Sequence, residues 1–348
     1  MNYIGIDLHK NSSQVCILTE DGELIERRIK TEKDSFHKLL ADQPPSRILI
    51  EASTESNWVA CYLEVLRHEV IVADPNFAPM YATRDKRIKT DKRDARALCE
   101  ACRLGAYRSA HRTSDKQRDI RAHLAVRETL VRTRSKYISL IGALARREGC
   151  RIKACPSPSF ASRVALAELP AHVIAQIEPL LVMLTALNEQ IKLADERLAE
   201  IVKADEVVQR LCSVPGVGPV VATTFAATID GASRFQGAKQ VCSYLGLVPR
   251  EYSSGERQRR GRISKAGNSR ARSLLVEAAW ALLRWKTEKN RTLHDWTTRI
   301  AQRRGKATAA VALARKLAGI LFALWRDGTE YDPRLLRRGC VQAEAATT

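Results

Sequence analysis

The sequence predicts an α/β domain at the amino terminus followed by a mainly helical carboxy-terminal half. In the first part, short apolar runs of alternating polarity are separated by turn-forming residues and by stretches with helical spacing. From about residue 115 onward, the apolar residues recur at helical spacing. Strands that alternate with helices indicate a sheet covered by helices.

The predicted elements begin with an antiparallel meander. Residues 2–8 form an apolar run, and Asp21-Gly22 joins alternating runs at 14–18 and 24–29. This dipeptide predicts a hairpin, because both residues tolerate the positive φ of tight turns. A helix, a strand, a helix and a short strand follow at residues 35–41, 47–51, 57–67 and 70–73. This order is typical of a three-layer α/β domain of the RNase H type.

Two long helices are predicted next, an arginine-rich one at 115–147 and a second at 179–203. The apolar positions of the second are Leu180, Leu184, Leu187, Ile191, Leu198 and Ile201. Their spacing suggests a helical hairpin or short coiled coil with a spacer or dimer role; a plain pair of core helices is the alternative. The predicted domains are residues 1–155, a helical spacer at 156–205, a helical domain at 206–332 and a disordered tail at 333–348.

The charge of the chain indicates a polyanionic partner. Its 348 residues include 58 Lys+Arg against 39 Asp+Glu, a formal net charge of +19. Basic surface binds nucleic acid by releasing condensed counterions. No uninterrupted apolar stretch reaches the roughly 18 residues of a membrane span, and no signal peptide is visible, which favours a cytoplasmic nucleic-acid-binding protein over a membrane protein.

The cysteines indicate a reducing compartment. Nine cysteines are an odd number and fit free thiols better than a disulfide framework. Cys99 and Cys102 have CxxC spacing, but no second pair or histidine pair accompanies them. We therefore expect them to be small buried residues of a helix and not a zinc or redox site.

Four acidic residues are candidates for one site. Asp7 lies within an apolar strand, where a carboxylate is costly unless it is paired or bound to metal, and Glu51 ends a neighbouring strand. Asp91 and Asp94 are three residues apart at a predicted helix start and share one face. Helix capping is the alternative role for these last two.

Such hard oxygen ligands suit Mg²⁺ or Mn²⁺, and two ions about 4 Å apart could stabilise both oxygens of an in-line phosphoryl transfer. The cations nearby could hold a phosphate backbone, or they could form a solvated charged surface. They are Arg84, Lys86, Arg87, Lys89, Lys92 and Arg93.

Two carboxy-terminal segments also suggest contact with DNA. The loop containing Gly216 and Gly218 resembles the turn of a helix-hairpin-helix element, although it could be an ordinary tight turn. Residues 249–268 place serines in a flexible loop beside guanidinium groups, which predicts a DNA-binding loop. The cations of this region are Arg257, Arg259, Arg260, Arg262, Lys265, Arg270 and Arg272.

These motifs resemble the DEDD transposases of bridge-RNA-guided insertion sequences, a family that includes the Piv-type DNA invertases. The resemblance covers about residues 1 to 330. In the amino-terminal half it rests on residues 3–7, 50–52 and 89–95, and in the carboxy-terminal half on residues 214–219, 244–249, 254–255 and 263–268.

The resemblance implies a RuvC-like domain in which Asp7, Glu51, Asp91 and Asp94 bind metal. It also implies that Ser254 attacks DNA and forms a phosphoserine link; the adjacent Ser253 is the alternative. Further implications are a non-coding bridge RNA that pairs with donor and target DNA, and a homo-oligomer, a dimer or tetramer, in which the acids of one subunit act with the serine of another. The expected location is a prokaryotic cytoplasm, on the nucleoid.

Three other functions remain open at this point. A metal-dependent nuclease or junction resolvase would need the four acids but not Ser254. An architectural nucleic-acid binder would use the acids only as caps. A Piv-like invertase would act without RNA, and the absence of a structured non-coding segment beside its gene would indicate it.

Overall fold

A five-stranded mixed sheet is the centre of the first part of the chain. The computed structural model describes residues 1–82, 90–252 and 259–334. The contacts divide the chain into two units, Met1–Thr113 and Ser114–Thr348. Each unit has its own hydrophobic core.

The strands of unit 1 are β1 (Tyr3–Leu8), β2 (Ser12–Leu18), β3 (Leu24–Lys30), β4 (Arg47–Glu51) and β5 (Glu69–Ala73). They are ordered β3-β2-β1-β4-β5. The meander β1-β2-β3 is antiparallel, whereas β4 is parallel to both β1 and β5. The strand that contains Asp7 is therefore central, and the predicted meander is confirmed.

Helices cover both faces of this sheet. They are α1 (Lys33–Leu40), α2 (Ser56–Val65) and α3 (Asp91–Leu104). Because side chains alternate along a strand, Ile4 and Ile6 of β1 face one core, which α1 and α2 close. The other face contacts α3, where Cys99 and Cys102 are buried as expected. The result is the three-layer α/β arrangement predicted from the sequence.

Unit 2 is mainly helical. Its helices are α4 (Asp115–Arg147), α5 (Phe160–Ala165), α6 (Ala171–Ala204), α7 (Glu206–Leu211), α8 (Pro219–Ile229), α9 (Ala238–Tyr244), α10 (Ser269–Arg284), α11 (Arg291–Arg304) and α12 (Lys306–Asp327). Two short strands, β6 (Pro249–Glu251) and β7 (Arg260–Ile263), pair as an antiparallel ribbon. The sequence predicts a flexible loop at 249–268, whereas residues 249–251 and 260–263 pair as strands; residues 253–258 lie outside the described residues.

The two long helices α4 and α6 pack against each other. The sequence placed the start of the second at Pro179, but α6 begins eight residues earlier and continues through this proline. Proline removes one internal hydrogen bond, and the helix persists because Val173, Ile177 and Leu184 bury their side chains on both sides of it. Packing therefore overrides the local breaker, and the start predicted from the sequence was wrong.

The core of the carboxy-terminal half is built around α12. Its buried side chains, among them Leu317, Leu321 and Phe322, pack with residues of α7 to α10. By length and composition, α6 and α12 could each cross a membrane. Buried helices of water-soluble proteins meet the same criteria, and half of the apolar window of α12 is buried in this core. These two helices therefore do not indicate a membrane protein.

The unit division differs from the domain boundary predicted at residue 155. The contacts place α4 in unit 2, where it packs on α6 and α8. The predicted domain boundaries at 155 and 205 stay predictions. The tail from residue 335 onward lies outside the described residues.

Candidate active site

Two neighbouring strands place carboxylates at the same edge of the sheet. In the parallel pair of β1 and β4, Ile6 is opposite Ile50, so that Asp7 and Glu51 are the next residues on each strand. In-register neighbours of a parallel pair point to the same face. Asp7 and Glu51 therefore both lie on the face that α3 covers, at the carboxyl ends of their strands.

The first turn of α3 contributes the other two acids. Thr90 caps the helix, since its hydroxyl accepts a hydrogen bond from the Arg93 amide at 3.3 Å. Asp91 is exposed and Asp94 is buried. At its far end α3 contacts the start of β1, where the Cys99 thiol donates to the Tyr3 carbonyl at 3.2 Å. The helix thus starts at the Asp7 end of the strand.

A glycine permits this close packing. A Cβ atom on Gly5 would lie 2.2 Å from the Cys99 amide nitrogen and 2.3 Å from the Ala95 carbonyl oxygen. Both contacts are with backbone, which cannot move aside without shifting the helix. Gly5 is therefore required for the middle of α3 to lie this close to the sheet.

An ion-pair cluster holds the outer side of α3. Glu26 of β3 binds Lys92 at 2.8 Å and accepts a hydrogen bond from Arg96 at 2.9 Å. The hydrogen bond from Arg96, followed by the pairing with Lys92, lowers the pKa of the Glu26 carboxyl to about 2. Lys92, predicted to contact nucleic acid, thus has a carboxylate partner within the protein, whereas the Arg93 side chain is exposed.

The four acids act on one another electrostatically. Burial raises the pKa of Asp7, and the negative charges of Asp94, Asp91 and Glu51 raise it further, whereas His9 opposes the shift. The predicted residues are therefore brought together in the structure. Several carboxylates this close together favour the binding of a cation between them.

Two further residues belong to this site and were not predicted. His9 Nε2 lies 3.3 Å from Asp7 Oδ2 and 3.4 Å from Asp91 Oδ1. The Tyr81 hydroxyl, in the 3₁₀ turn Ala78–Tyr81, donates a short hydrogen bond to Glu51 Oε2. Burial and this hydrogen bond raise the pKa of the Tyr81 phenol. His9 follows Asp7 by two positions, which was the available signal; nothing in the sequence marks Tyr81.

The donor set fits a divalent cation. Ligand atoms of Asp7, His9 and Asp91 lie within 4.8 Å of one another. Carboxylate oxygens are the ligands that Mg²⁺ and Mn²⁺ prefer, and a cation would relieve the repulsion that raises the pKa of Asp7.

Several predicted nucleic-acid contacts in unit 2 have partners within the protein. Arg270 pairs with Glu128 at 3.2 Å, and an Arg272 Nη1 donates to the carbonyl oxygens of Leu245 and Ala266 at 3.0 and 2.8 Å. These two guanidinium groups therefore hold the helix α10 in place. They are less available to a phosphate than an exposed arginine.

The two glycines of the loop before α8 have different roles: one packs against α10 and the other precedes the first residue of α8. Gly216 has a φ of +77°, and a Cβ atom there would lie 3.0 Å from Leu282 Cγ. Gly218 is the N-cap of α8 and has open space around its Cα. Gly216 is thus required for packing, while Gly218 leaves amide groups at a helix N-terminus. The helix-hairpin-helix role stays a prediction.

Cationic side chains border a groove of about 1120 Å³ in unit 2. Its apolar wall is formed by α9, α12 and the ribbon, and its cations are Lys239, Arg262, Lys265, Arg315 and Lys316. The Arg262, Lys265 and Arg259 side chains are exposed. These positions suit contact with a polyanion.

Several predicted residues lie outside the part of the chain that the structure describes. They are Arg84, Lys86, Arg87, Lys89, Ser253, Ser254 and Arg257, together with the side chain of Arg260.

Comparison with known proteins identifies transposases. A family model described as "Transposase IS116/IS110/IS902 family" matches residues 208–295, and the DEDD transposase model of the IS110 type matches residues 4–146. A "Probable family 20 transposase" of Pseudomonas aeruginosa is 32% identical over 96% of this chain and 99% of its own. The transposase for insertion sequence element IS1111A of Coxiella burnetii is 29% identical over 92% of this chain and 88% of its own. The transposase for insertion sequence element IS1328 of Yersinia enterocolitica is 29% identical over 94% of this chain and 98% of its own.

Proposed function

The chain belongs to the IS116/IS110/IS902 family of transposases, and we propose that it cuts and rejoins DNA with a metal-binding acidic tetrad and a serine nucleophile, guided by a bridge RNA. As a transposase it is an enzyme that cleaves and transfers DNA strands.

The observation that carries the proposal is the convergence of α3 on the sheet edge. Asp91 and Asp94 reach Asp7 and Glu51 because Gly5 lets the helix approach β1. Structural caps would need neither the burial of Asp94 nor its charge interaction with Asp7. This arrangement favours a metal site over the architectural alternative.

Each residue of the site has a proposed task. Asp7, Glu51, Asp91 and Asp94 bind Mg²⁺ or Mn²⁺ through carboxylate oxygens. Such an ion supplies positive charge that polarises a DNA phosphate and stabilises the oxygens of an in-line displacement. Tyr81 orients Glu51 by donating to one carboxylate oxygen.

The proposed chemical step uses Ser254. Its hydroxyl oxygen attacks a DNA phosphorus and loses its proton, one phosphorus–oxygen bond to a deoxyribose breaks, and the departing oxygen gains one proton, so that the net proton transfer is from serine to the new deoxyribose hydroxyl. The resulting phosphoserine link conserves the phosphoester for rejoining. We favour Ser254 over Ser253 because it directly precedes a glycine, as in the family resemblance.

The partners follow from the same proposal. Donor and target DNA are the substrates, and the net charge of +19 supports binding to their backbones. If base pairing with an RNA selects the target sequence, a basic protein needs to bind only the shape and the phosphate backbone of the DNA. We further propose a cytoplasmic, nucleoid-associated homo-oligomer, a dimer or tetramer, in which the tetrad of one subunit acts with the serine of another.

The test is a search for the covalent intermediate. Purified full-length protein is incubated with Mg²⁺, labelled donor and target DNA, and RNA transcribed from the flank of the element. Wild type, Ser254→Ala, Asp7→Ala and the matched control Ser253→Ala are compared on a denaturing protein gel, with the label on either strand end. We expect an adduct that requires Ser254, Asp7 and the RNA, and that Ser253→Ala retains.

Other results identify the alternatives. Free cleavage products without an adduct, unchanged in Ser254→Ala, would indicate a metal-dependent nuclease or junction resolvase. An adduct that forms without RNA would indicate a Piv-like invertase. DNA binding without cleavage, unaffected by loss of all four acids, would indicate an architectural protein.

A further inference from the structure

His9 lies between two carboxylates of the tetrad. Its Nε2 atom is 3.3 Å from Asp7 Oδ2 and 3.4 Å from Asp91 Oδ1. Half of the His9 side chain is exposed, as is half of Asp91, whereas Asp7 is largely covered. The His9 imidazole and the Asp91 carboxylate are therefore accessible to solvent beside the covered carboxylate of Asp7.

The spacing of these atoms suits a shared ion. An octahedral divalent ion with bonds of about 2.1 Å holds adjacent ligand atoms about 3 Å apart. The two distances from His9 Nε2 are only slightly longer than this. Small side-chain rotations would therefore bring all three atoms into ligand positions around one ion.

The backbone of His9 is held in place independently of the carboxylates. The Thr31 hydroxyl donates to the His9 carbonyl oxygen at 2.7 Å, and the His9 amide donates to the Ser12 carbonyl oxygen at 3.3 Å. The Thr31 hydroxyl also contacts the Ser13 hydroxyl at 2.7 Å. A backbone fixed in this way limits where the imidazole can lie, as a metal ligand requires.

We propose that His9 is a nitrogen ligand of the divalent ion, together with Asp7 and Asp91, and that it makes the site prefer Mn²⁺ over Mg²⁺. Imidazole binds transition-metal ions well, whereas Mg²⁺ prefers oxygen ligands and retains its waters. The inference rests on the proposed metal-binding role of the tetrad, to which it adds one ligand and a metal preference.

The competing role for His9 is that of a positive group that neutralises the carboxylates. The two roles predict opposite effects of removing the side chain. If His9 is a ligand, its loss weakens Mn²⁺ binding. If it only competes with the ion for the carboxylates, its loss leaves Mn²⁺ binding unchanged or strengthens it.

The experiment uses metal-free full-length protein and Mn²⁺ or Mg²⁺ alone. Mn²⁺ binding is titrated by electron paramagnetic resonance, Mg²⁺ is measured by competition, and pulsed spectra are recorded for coupling to a directly bound ¹⁴N nucleus. The variants are His9→Ala, Asp94→Ala and the matched control His37→Ala, an exposed histidine of α1 on the opposite side of the sheet. Circular dichroism verifies that each variant is folded.

We expect ¹⁴N coupling in wild type and His37→Ala and its loss in His9→Ala. His9→Ala should weaken Mn²⁺ at least about tenfold and Mg²⁺ by less than about threefold. Binding that depends on Asp94 but shows no ¹⁴N coupling, or no loss in His9→Ala, would overturn the role of His9 and leave the tetrad intact. Absence of Mn²⁺ binding, or binding unaffected by Asp94→Ala, would overturn the metal-binding tetrad itself and this inference with it.

Discussion

For the single residue Asp7, the surroundings in the folded protein disfavour the charged carboxylate. Burial and three nearby carboxylates raise its pKa, so its negative charge is unfavourable in the folded protein. Because the carboxyl pKa is higher in the folded protein, ionisation of Asp7 lowers the free energy of unfolding as the pH rises from the ordinary value of 3.8 through the raised pKa. Below pH 3.8 the carboxyl is protonated in both states, and this destabilisation is absent. A cation bound there, as proposed above, would offset this destabilisation by placing positive charge beside the carboxylate.

Replacing Asp7 by asparagine should therefore stabilise the metal-free protein at pH 7. We expect the thermal midpoint of Asp7→Asn in a chelator to rise by about 2–4 °C, and the gain to shrink as the pH falls toward 4. Calorimetry across this pH range measures it. The exposed Asp21→Asn of the β2–β3 turn is the control and should change little; a lower midpoint for Asp7→Asn at pH 7 would contradict the prediction.

Removing the Tyr81 hydroxyl should loosen the site without unfolding it. Glu51 loses the hydrogen bond that orients it, and such supporting contacts are worth about 10–100-fold in metal affinity. Calorimetric titration of Tyr81→Phe with Mn²⁺ should show this loss. Tyr107→Phe is the matched control, since Tyr107 packs against the same apolar cluster. Equal affinities in the two variants would mean that Tyr81 has no positioning role.

At the scale of elements, the contact of α3 with the sheet determines whether the site exists. Glu26 reaches Arg96 across 70 residues of sequence, and Gly5 lets the helix backbone come close. These two contacts hold the helix from its outer side and from its inner side. Displacing α3 would move Asp91 and Asp94 together.

A methyl group on Gly5 should disturb this packing. We expect Gly5→Ala to lower the free energy of unfolding by about 1–3 kcal/mol and to weaken Mn²⁺ binding, because the added atom overlaps the backbone of α3. Gly142→Ala in α4 is the control, since its Cβ meets only the end of the Arg146 side chain, and it should be neutral or stabilising by up to about 1 kcal/mol. Normal stability and metal binding in Gly5→Ala would refute the close-packing account. Denaturant titration and Mn²⁺ binding measure both effects.

For the molecule as a whole, the net positive charge predicts an electrostatic contribution to DNA binding. The net charge of +19 predicts an affinity that falls steeply with salt. The cations differ in availability, because Arg262 and Lys265 are exposed at the groove whereas Arg272 is bound to two carbonyl oxygens.

This difference predicts which cations contact phosphate. Arg262→Ala and Lys265→Ala should each reduce the slope of log affinity against log salt by about 1, whereas Arg272→Ala should leave the slope unchanged. Fluorescence anisotropy with labelled duplex DNA at several salt concentrations measures the slopes, and thermal melts identify any variant that is misfolded. Equal slopes for all three variants and the wild type would exclude the groove from the DNA-binding surface.

The sequence alone was sufficient to predict the strands and α-helices of unit 1 and the long helix α4, and it singled out four acids that the structure brings together. Apolar periodicity reports local backbone geometry directly, and for this reason β4 and α4 were predicted with their observed bounds. The carboxylate of Asp7 was recognisable because a charged residue interrupts an apolar strand.

Which distant groups meet depends on how the elements pack in three dimensions. Tyr81 donates a hydrogen bond to Glu51, which is 30 residues away in sequence, and Lys92 forms an ion pair with Glu26. The helix α6 continues through Pro179 because of the packing around it. None of these three features has a local sequence signal, because each depends on how the elements pack. Periodicity places a residue on a face, whereas the packing of whole faces selects its partner.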